Sequence, residues 1–159
     1  MSPDDYNKRL HSLVRHIEHV KDNCRLLADR LGEDDFSKRL IANSYIHDQS
    51  KFHGIEWEYL ADNTVIYIGK DKEAFDAALA QHVHGNPHHP EYWGGIYEMP
   101  KIFIAEMVGD WFARSQEFGT DLREWITEKA RDKFKFNCQC KVYKQIKEFV
   151  DIMLDKKLD

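Results

Sequence analysis

Several residue types that define particular protein classes are scarce in this chain of 159 residues. It has only three cysteines, four prolines and eight glycines, and no apolar run approaches the roughly 18–20 residues that a membrane-spanning helix needs. The cysteines form neither an even set nor a C-x-x-C pair, so we expect reduced thiols in a cytoplasmic protein. Residues 1–6 are acidic and polar, so no signal peptide is predicted.

The remaining composition predicts one globular domain over residues 1–159. Hydrophobic residues make up 42% of the chain and aromatic residues 13%, which is enough to build a packed core. The 23 basic and 28 acidic residues give a net charge of −5, which disfavours broad binding to a nucleic-acid backbone but leaves room for a local basic pocket. We therefore expect neither a membrane nor an extended nucleic acid as a partner.

Apolar residues recur at three- and four-residue steps through most of the chain, and this spacing predicts an all-α domain of six or seven helices. The pattern predicts helices over about 4–31, 35–48, 54–61, 71–84, 100–118, 121–135 and 139–155. Residues 63–70 fit a short strand or a connector, and we predict a connector. Residues 85–95, rich in proline, glycine, histidine and aromatic residues, are predicted to form an ordered non-helical loop.

Nine of the 159 residues are histidine, more than double the usual share. His47 and Asp48 end an apolar helical run, and His16 projects from the first helix near its core-facing positions. Asp110 stands among apolar residues, where a carboxylate is costly to bury unless it is paired or bound to a metal. Two histidines and two aspartates suit a divalent ion of borderline hardness with open positions for water and substrate.

The order His16, then His47-Asp48, then Asp110, each on a separate helix, resembles the HD-domain superfamily of metal-dependent phosphohydrolases. Residues 46–52 (I-H-D-Q-S-K-F) and 86–93 (N-P-H-H-P-E-Y-W) are similar to blocks of an uncharacterised HD-like family of bacteria and phages, as are 99–111 and the Glu-Trp pair at 124–125. The resemblance implies an HD-like helical bundle with four metal ligands: His16, His47, Asp48 and Asp110. His19 is the substitute for His16, but the superfamily usually has an apolar residue four positions after the ligand, which favours His16.

The resemblance also implies a reaction. Members hydrolyse a phosphoester or phosphoanhydride, often in a nucleotide, with one or two divalent ions such as Mn, Fe, Co, Ni, Zn or Mg. Asp110 is expected to orient or deprotonate the attacking water. Lys51 lies one turn beyond His47-Asp48, where its ammonium can hold a phosphate.

Four histidines fall within residues 82–89. His82, with His88 or His89, is expected to hold a second metal, to bind phosphate or to protonate the leaving group. We predict surface or structural roles for the remaining candidates: His84 structural or exposed, His11 and His53 exposed, Glu56 and Glu58 on a solvated face, Tyr92 and Trp93 in core packing rather than base stacking, and Cys138 and Cys140 as ordinary residues.

Two other functions fit the same residues. The first is a di-iron HD-type oxygenase, which would need six metal ligands including His82 and His88 or His89. The second is a non-enzymatic protein that binds or sequesters a nucleotide. The sequence leaves the oligomeric state open, so a homo-oligomer remains an alternative.

Overall fold

In a computed structural model, which describes residues 2–62 and 71–155, the described residues form seven helices and no strand. The predicted all-α class is therefore confirmed. The connector predicted at residues 63–70 lies outside the described residues. The helices are α1 (Pro3–Leu31), α2 (Asp35–Tyr45), α3 (Gly54–Leu60), α4 (Lys72–Gly85), α5 (Lys101–Phe118), α6 (Leu122–Trp125, Ile126–Ala130 and Arg131–Phe134 without a break, the middle piece π-helical) and α7 (Lys141–Leu154).

Side-chain caps explain where several helices begin. Ser2 and Asp5 form a reciprocal capping box at the start of α1. Asp34 accepts a hydrogen bond from Ser37 N at 2.7 Å and so caps α2. Cys140 caps α7 by accepting one from Tyr143 N at 3.3 Å, and it is a free thiol. These caps satisfy backbone N–H groups that a helix leaves unpaired.

The core forms where α1 packs against α2, α5 and α7. The middle of α5, from Ile104 to Trp111, is buried on every side, so this helix runs through the interior rather than over the surface. Asp110 belongs to this buried stretch, and His16 lies on the buried face of α1. The packing of α1 on α5 therefore brings two of the predicted ligands into the interior. Among the described residues, no helix is both long and apolar enough to cross a membrane.

α2 is shorter than predicted, because it ends at Tyr45 and not near residue 48. Asp48 adopts a left-handed conformation (φ 55°, ψ 17°), which reverses the backbone before the short 3₁₀ turn Gln49–Phe52. Aspartate tolerates this conformation better than most residues. The turn directs the Asp48 carboxylate into the bundle, and 98% of this residue is removed from solvent.

The predicted loop after α4 is ordered and carries two short 3₁₀ turns, Pro90–Trp93 and Ile96–Glu98. Trp93 packs on Phe103, and its indole nitrogen donates a hydrogen bond to Pro87 O at 2.8 Å. Tyr92 is 45% exposed, so the prediction of core packing is wrong for that residue. Successive residues of a 3₁₀ turn point about 120° apart, so Tyr92 and Trp93 cannot both face the core.

Candidate metal centre

The structure gathers every residue predicted as a ligand of a first or second metal into one cluster. The seven residues come from four parts of the fold: α1, the turn after α2, α4 with the loop that follows it, and α5. Six of them are buried, and His89 is partly buried. They are His16, His47, Asp48, His82, His88, His89 and Asp110.

One side of the cluster joins α1, α5 and the turn after α2. His16 Nε2 lies 3.1 Å from Asp110 Oδ1 and 3.5 Å from Asp48 Oδ2. His47 Nε2 lies 3.9 Å from the same Asp110 oxygen. Two imidazole nitrogens and carboxylate oxygens therefore face a common point, as a divalent ion requires.

The other side of the cluster is formed by α4 and the loop after it. Asp48 Oδ1 lies 3.2 Å from His82 Nε2 and 3.4 Å from His88 Nε2. His89 Nε2 lies 3.0 Å from His82 Nε2. Asp48 Oδ2 therefore faces His16, whereas Asp48 Oδ1 faces His82, His88 and, at 3.6 Å, His47 Nε2, so this carboxylate stands between the two sides.

Five buried atoms in this cluster have no hydrogen-bond partner: His16 Nε2, His47 Nε2, Asp48 Oδ1, His88 Nε2 and Asp110 Oδ1. Buried polar atoms are normally paired, and leaving one unpaired costs about 1–3 kcal/mol. Here the unpaired atoms lie close together and are the donor types that bind divalent metals. The residues present therefore fit a metal ion.

Three glutamates outside the predicted set hold three of the five cluster histidines by their other ring nitrogen. Glu117 lies 2.9 Å from His16 Nδ1, Glu106 3.0 Å from His47 Nδ1, and Glu56 2.9 Å from His82 Nδ1. Such contacts orient each ring, so that Nε2 faces the metal position. The prediction that Glu56 lies on a solvated face is wrong, because it is only 1% exposed.

A signal for two of these glutamates is present in the sequence. Glu106 precedes Asp110 by four residues and Glu117 follows it by seven, so all three share one face of α5. Glu58, in contrast, is exposed as predicted. His84 is exposed too, and its Nδ1 lies 2.8 Å from Ala80 O.

Electrostatics keep the two aspartates ionised. Burial alone would raise the pKa of Asp48, but the charges of Lys51 and His47 hold that pKa well below its usual value. Burial would likewise raise the pKa of Asp110, but the close approach of His16 Nε2 and nearby positive charges hold that pKa well below its usual value. Both groups are therefore available as anionic ligands.

The histidines divide into two electrostatic types. Burial, and then the charge of His47, lowers the pKa of His88. Burial, and then the charges of His88 and His82, lowers the pKa of His89 to about 2. Burial would also lower the pKa of His47, but Asp48 and Glu106 outweigh it and raise the pKa. Neutral imidazole is the form that binds metal, so His88 and His89 are ready to coordinate, whereas His47 must release a proton.

Lys51 and His19, two further candidates from the sequence, both lie beside the cluster. Lys51 is 6% exposed, and its Nζ lies 2.7 Å from Asp48 Oδ2. His19 Nδ1 lies 3.1 Å from Glu117 Oε1, so it shares the outer glutamate of His16. Of His16 and His19, His16 is the one whose Nε2 faces Asp48 and Asp110.

His11 and His53 are exposed, as predicted.

The comparison with protein families matches residues 5–156 to a family of unknown function (DUF5662), and the chain belongs to that family. The matched span contains all seven residues of the cluster and the three glutamates behind it. Neither the curated proteins nor the solved structures contain a match to this chain.

Proposed function

We propose that this protein is a divalent-metal-dependent phosphohydrolase of the HD-domain type, acting on a nucleotide or a related small phosphate compound. The observation that supports this most is the set of five unpaired buried donor atoms that face one another. Four of their residues, His16, His47, Asp48 and Asp110, follow the order His, His-Asp, Asp, and this order carries the resemblance to HD-domain phosphohydrolases.

The geometry suggests a role for each ligand. His16, His47, Asp110 and one oxygen of Asp48 would hold one ion, and the other oxygen of Asp48 with His82 and His88 would hold a second. A divalent ion in such a site lowers the pKa of a bound water and polarises a phosphoryl oxygen.

Asp110 is the carboxylate best placed to orient the attacking water or accept its proton, because its side chain is 13% exposed and thus reachable. Lys51 is paired with Asp48. Once an ion neutralises that carboxylate, the ammonium is available to a phosphate as a point charge. The deep burial of the cluster favours a small substrate over an extended nucleic acid. The three free cysteines fit a reducing cytoplasm.

The test is turnover by the full chain after removal of metal with a chelator and reloading with Mn, Fe(II), Co, Ni, Zn or Mg. Release of phosphate is measured for nucleoside mono-, di- and triphosphates and an aryl phosphate. We expect metal-dependent turnover that falls to background in His47→Gln and Asp110→Asn. His53→Gln, at an exposed site, is the matched control. Protein shown to carry metal that hydrolyses no phosphate compound would refute the proposal.

A di-iron oxygenase is the second candidate, because one observation favours it. The cluster contains all six ligands that this chemistry needs: His16, His47, Asp48, His82, His88 and Asp110. Anaerobic loading with Fe(II), followed by measurement of iron content and of oxygen consumption with candidate substrates, distinguishes the two reactions. One iron per chain, or no oxygen uptake, would exclude this candidate.

A further inference from the structure

The two sides of the cluster differ in their donor atoms. The side built on α1 and α5 offers two imidazole nitrogens, from His16 and His47, and an oxygen of Asp110, and these donor atoms lie within 4.8 Å of one another. Asp48 Oδ2 lies 3.5 Å from His16 Nε2 but is paired with Lys51 Nζ. The side built on α4 and its loop offers a single carboxylate, Asp48, and three imidazoles, whose donor atoms all lie within 4.8 Å of one another. The third imidazole, from His89, gives this side more nitrogen donors than the side built on α1 and α5 has.

His89 is held against the other two histidines of its side. A hydrogen bond from His89 N to Asn86 O at 3.0 Å closes a turn that lets His88 and His89 face the same space, although they are neighbours in sequence. The His89 ring centroid lies 4.2 Å from that of His88 and 4.8 Å from that of His82. His89 is therefore one of the four donor residues of this side.

The rest of this side is rigid. Glu56 holds His82 Nδ1 and is itself bound by Ser50 Oγ at 2.6 Å. Asn86 Nδ2 donates to His82 O at 2.8 Å and to Ser50 Oγ at 3.0 Å. Ligands fixed by outer partners in this way bind metal more tightly than mobile ones.

Donor count and donor type predict different ions for the two sides. Three nitrogens and one oxygen complete a four-coordinate shell, which Zn²⁺ favours and which leaves no place for water. Two nitrogens and the oxygen of Asp110 leave the shell of this side incomplete, which suits a harder ion such as Mn²⁺ or Fe²⁺ that takes further ligands.

We propose that His89 closes the side built on α4 and its loop into a tight, four-coordinate site for Zn²⁺ or a similar ion, whereas the side built on α1 and α5 is a weaker, exchangeable site for a harder ion. This rests on the metal centre of the proposed function but not on its reaction.

The experiment uses the metal-free full chain, titrated first with Zn²⁺ and then with Mn²⁺, and bound metal per chain is measured by elemental analysis after dialysis. We expect one Zn²⁺ to survive dialysis and Mn²⁺ to bind more weakly at the second site. Co²⁺ reports geometry independently, because its first equivalent should give the intense visible absorption of a tetrahedral site and its second the weak bands of a higher coordination number.

Variants assign each side. His89→Ala should weaken retention of the tight ion by more than the ~10–100-fold that loss of an outer partner costs. It should also change the visible Co²⁺ spectrum of the tight site, because a water then replaces one imidazole. His16→Ala should instead remove the exchangeable site and leave the tight ion bound. His84→Ala, an exposed histidine of the same segment, is the matched control. His89→Gln, checked for helix content by circular dichroism, repeats the test at nearly constant side-chain size.

Two results would overturn the inference: equal affinity of both sites, or a tight ion and a Co²⁺ spectrum unchanged in both His89 variants. Binding of only one ion per chain would do the same. Unequal sites without turnover of any phosphate compound would refute the proposed reaction and leave this inference standing. Turnover of a phosphate compound with a single bound ion per chain would refute this inference and leave the proposed reaction standing.

Discussion

Gly109 of α5 lies so close to Cys24 of α1 that a Cβ at position 109 would be 2.8 Å from Cys24 Sγ. In the same place, Asn23 Nδ2 donates a hydrogen bond to Gly109 O at 3.1 Å. Asp110 follows directly in α5, and His16 precedes this crossing by two turns of α1. The approach of the two helices therefore sets the distance between these two ligands.

Gly109→Ala should both destabilise the fold and weaken metal binding. Because the added methyl group has no room, the helices must separate, and overpacking of this kind costs about 1–3 kcal/mol of the free energy of unfolding. Denaturant unfolding and metal titration measure the two effects. The double variant Gly109→Ala/Cys24→Ala, compared with Cys24→Ala alone, should recover much of the loss. Strict additivity of the two substitutions would contradict the explanation.

Lys51→Met should be far more costly than removal of a surface lysine. Lys51 and Asp48 form a buried ion pair, and removing one partner leaves an uncompensated charge, at a cost of about 3–5 kcal/mol. A bound divalent ion should reduce that cost, since it neutralises Asp48 itself. The measurement is thermal unfolding with chelator and with metal. Lys72→Met, which breaks the exposed pair with Asp76, is the control. Equal effects of the two substitutions would show that Lys51 has no special role.

Glu106→Gln tests the outer glutamates. Glu106 Oε1 lies 3.0 Å from His47 Nδ1 and 3.6 Å from His88 Nδ1, so it orients imidazoles on both sides of Asp48. Loss of its charge should lower metal affinity about 10–100-fold, as outer partners of ligating histidines typically do. Competition with a chelator of known affinity measures this. Glu98→Gln, at an exposed position, should leave the affinity unchanged. If Glu106→Gln behaves in the same way, the glutamate is not needed for ring orientation.

The helices and the elements that carry the seven cluster residues could be predicted from the sequence because both depend on local patterns. Apolar spacing of three and four residues is a property of the helix itself, and it placed α1, α4 and α5 within a few residues of their observed bounds. The end of α2 could not be predicted in this way. Asp48 has left-handed backbone geometry, and its carboxylate faces His16, His82 and His88, which are distant along the chain. No local pattern around residue 48 indicates these contacts.

The histidine partners of the outer glutamates could not be predicted for a similar reason, although the shared face of α5 marks Glu106 and Glu117 as neighbours of Asp110. Glu56, Glu106 and Glu117 contact histidines 26, 59 and 101 residues away, so no local pattern marks the pairing. Because a glutamate on a helix is usually solvated, the sequence alone predicts an exposed Glu56. Only the packing of α3 against α4 shows that this carboxylate is buried against His82.

The last prediction concerns the pH dependence of the metal-free protein. The pKa of His89 falls from its usual ~6.5 to about 2 on folding. Between these values of pH, His89 is protonated in the unfolded chain and neutral in the folded chain. Stability should therefore rise with pH between ~4 and ~6.5, by up to ~1.4 kcal/mol per pH unit for each such proton. Below ~3.9 the contribution of ionised Asp48 and Asp110, whose pKa values are depressed, is lost as well. Above pH ~6.5, stability should instead fall with pH, because the raised pKa of His47 keeps this residue protonated in the folded chain after it has lost its proton in the unfolded chain.

Denaturant unfolding in the presence of a chelator, at pH values from 4 to 8, measures these slopes. His89→Gln should remove the contribution of one proton between pH 4 and 6.5, whereas His84→Gln, at an exposed site, should not. A bound divalent ion should also remove the decline above pH 6.5, because it binds His47 in the neutral form and displaces its proton. A metal-free protein whose stability is flat between pH 4 and 6.5, or a His89→Gln variant with an unchanged slope, would show that His89 is not held neutral.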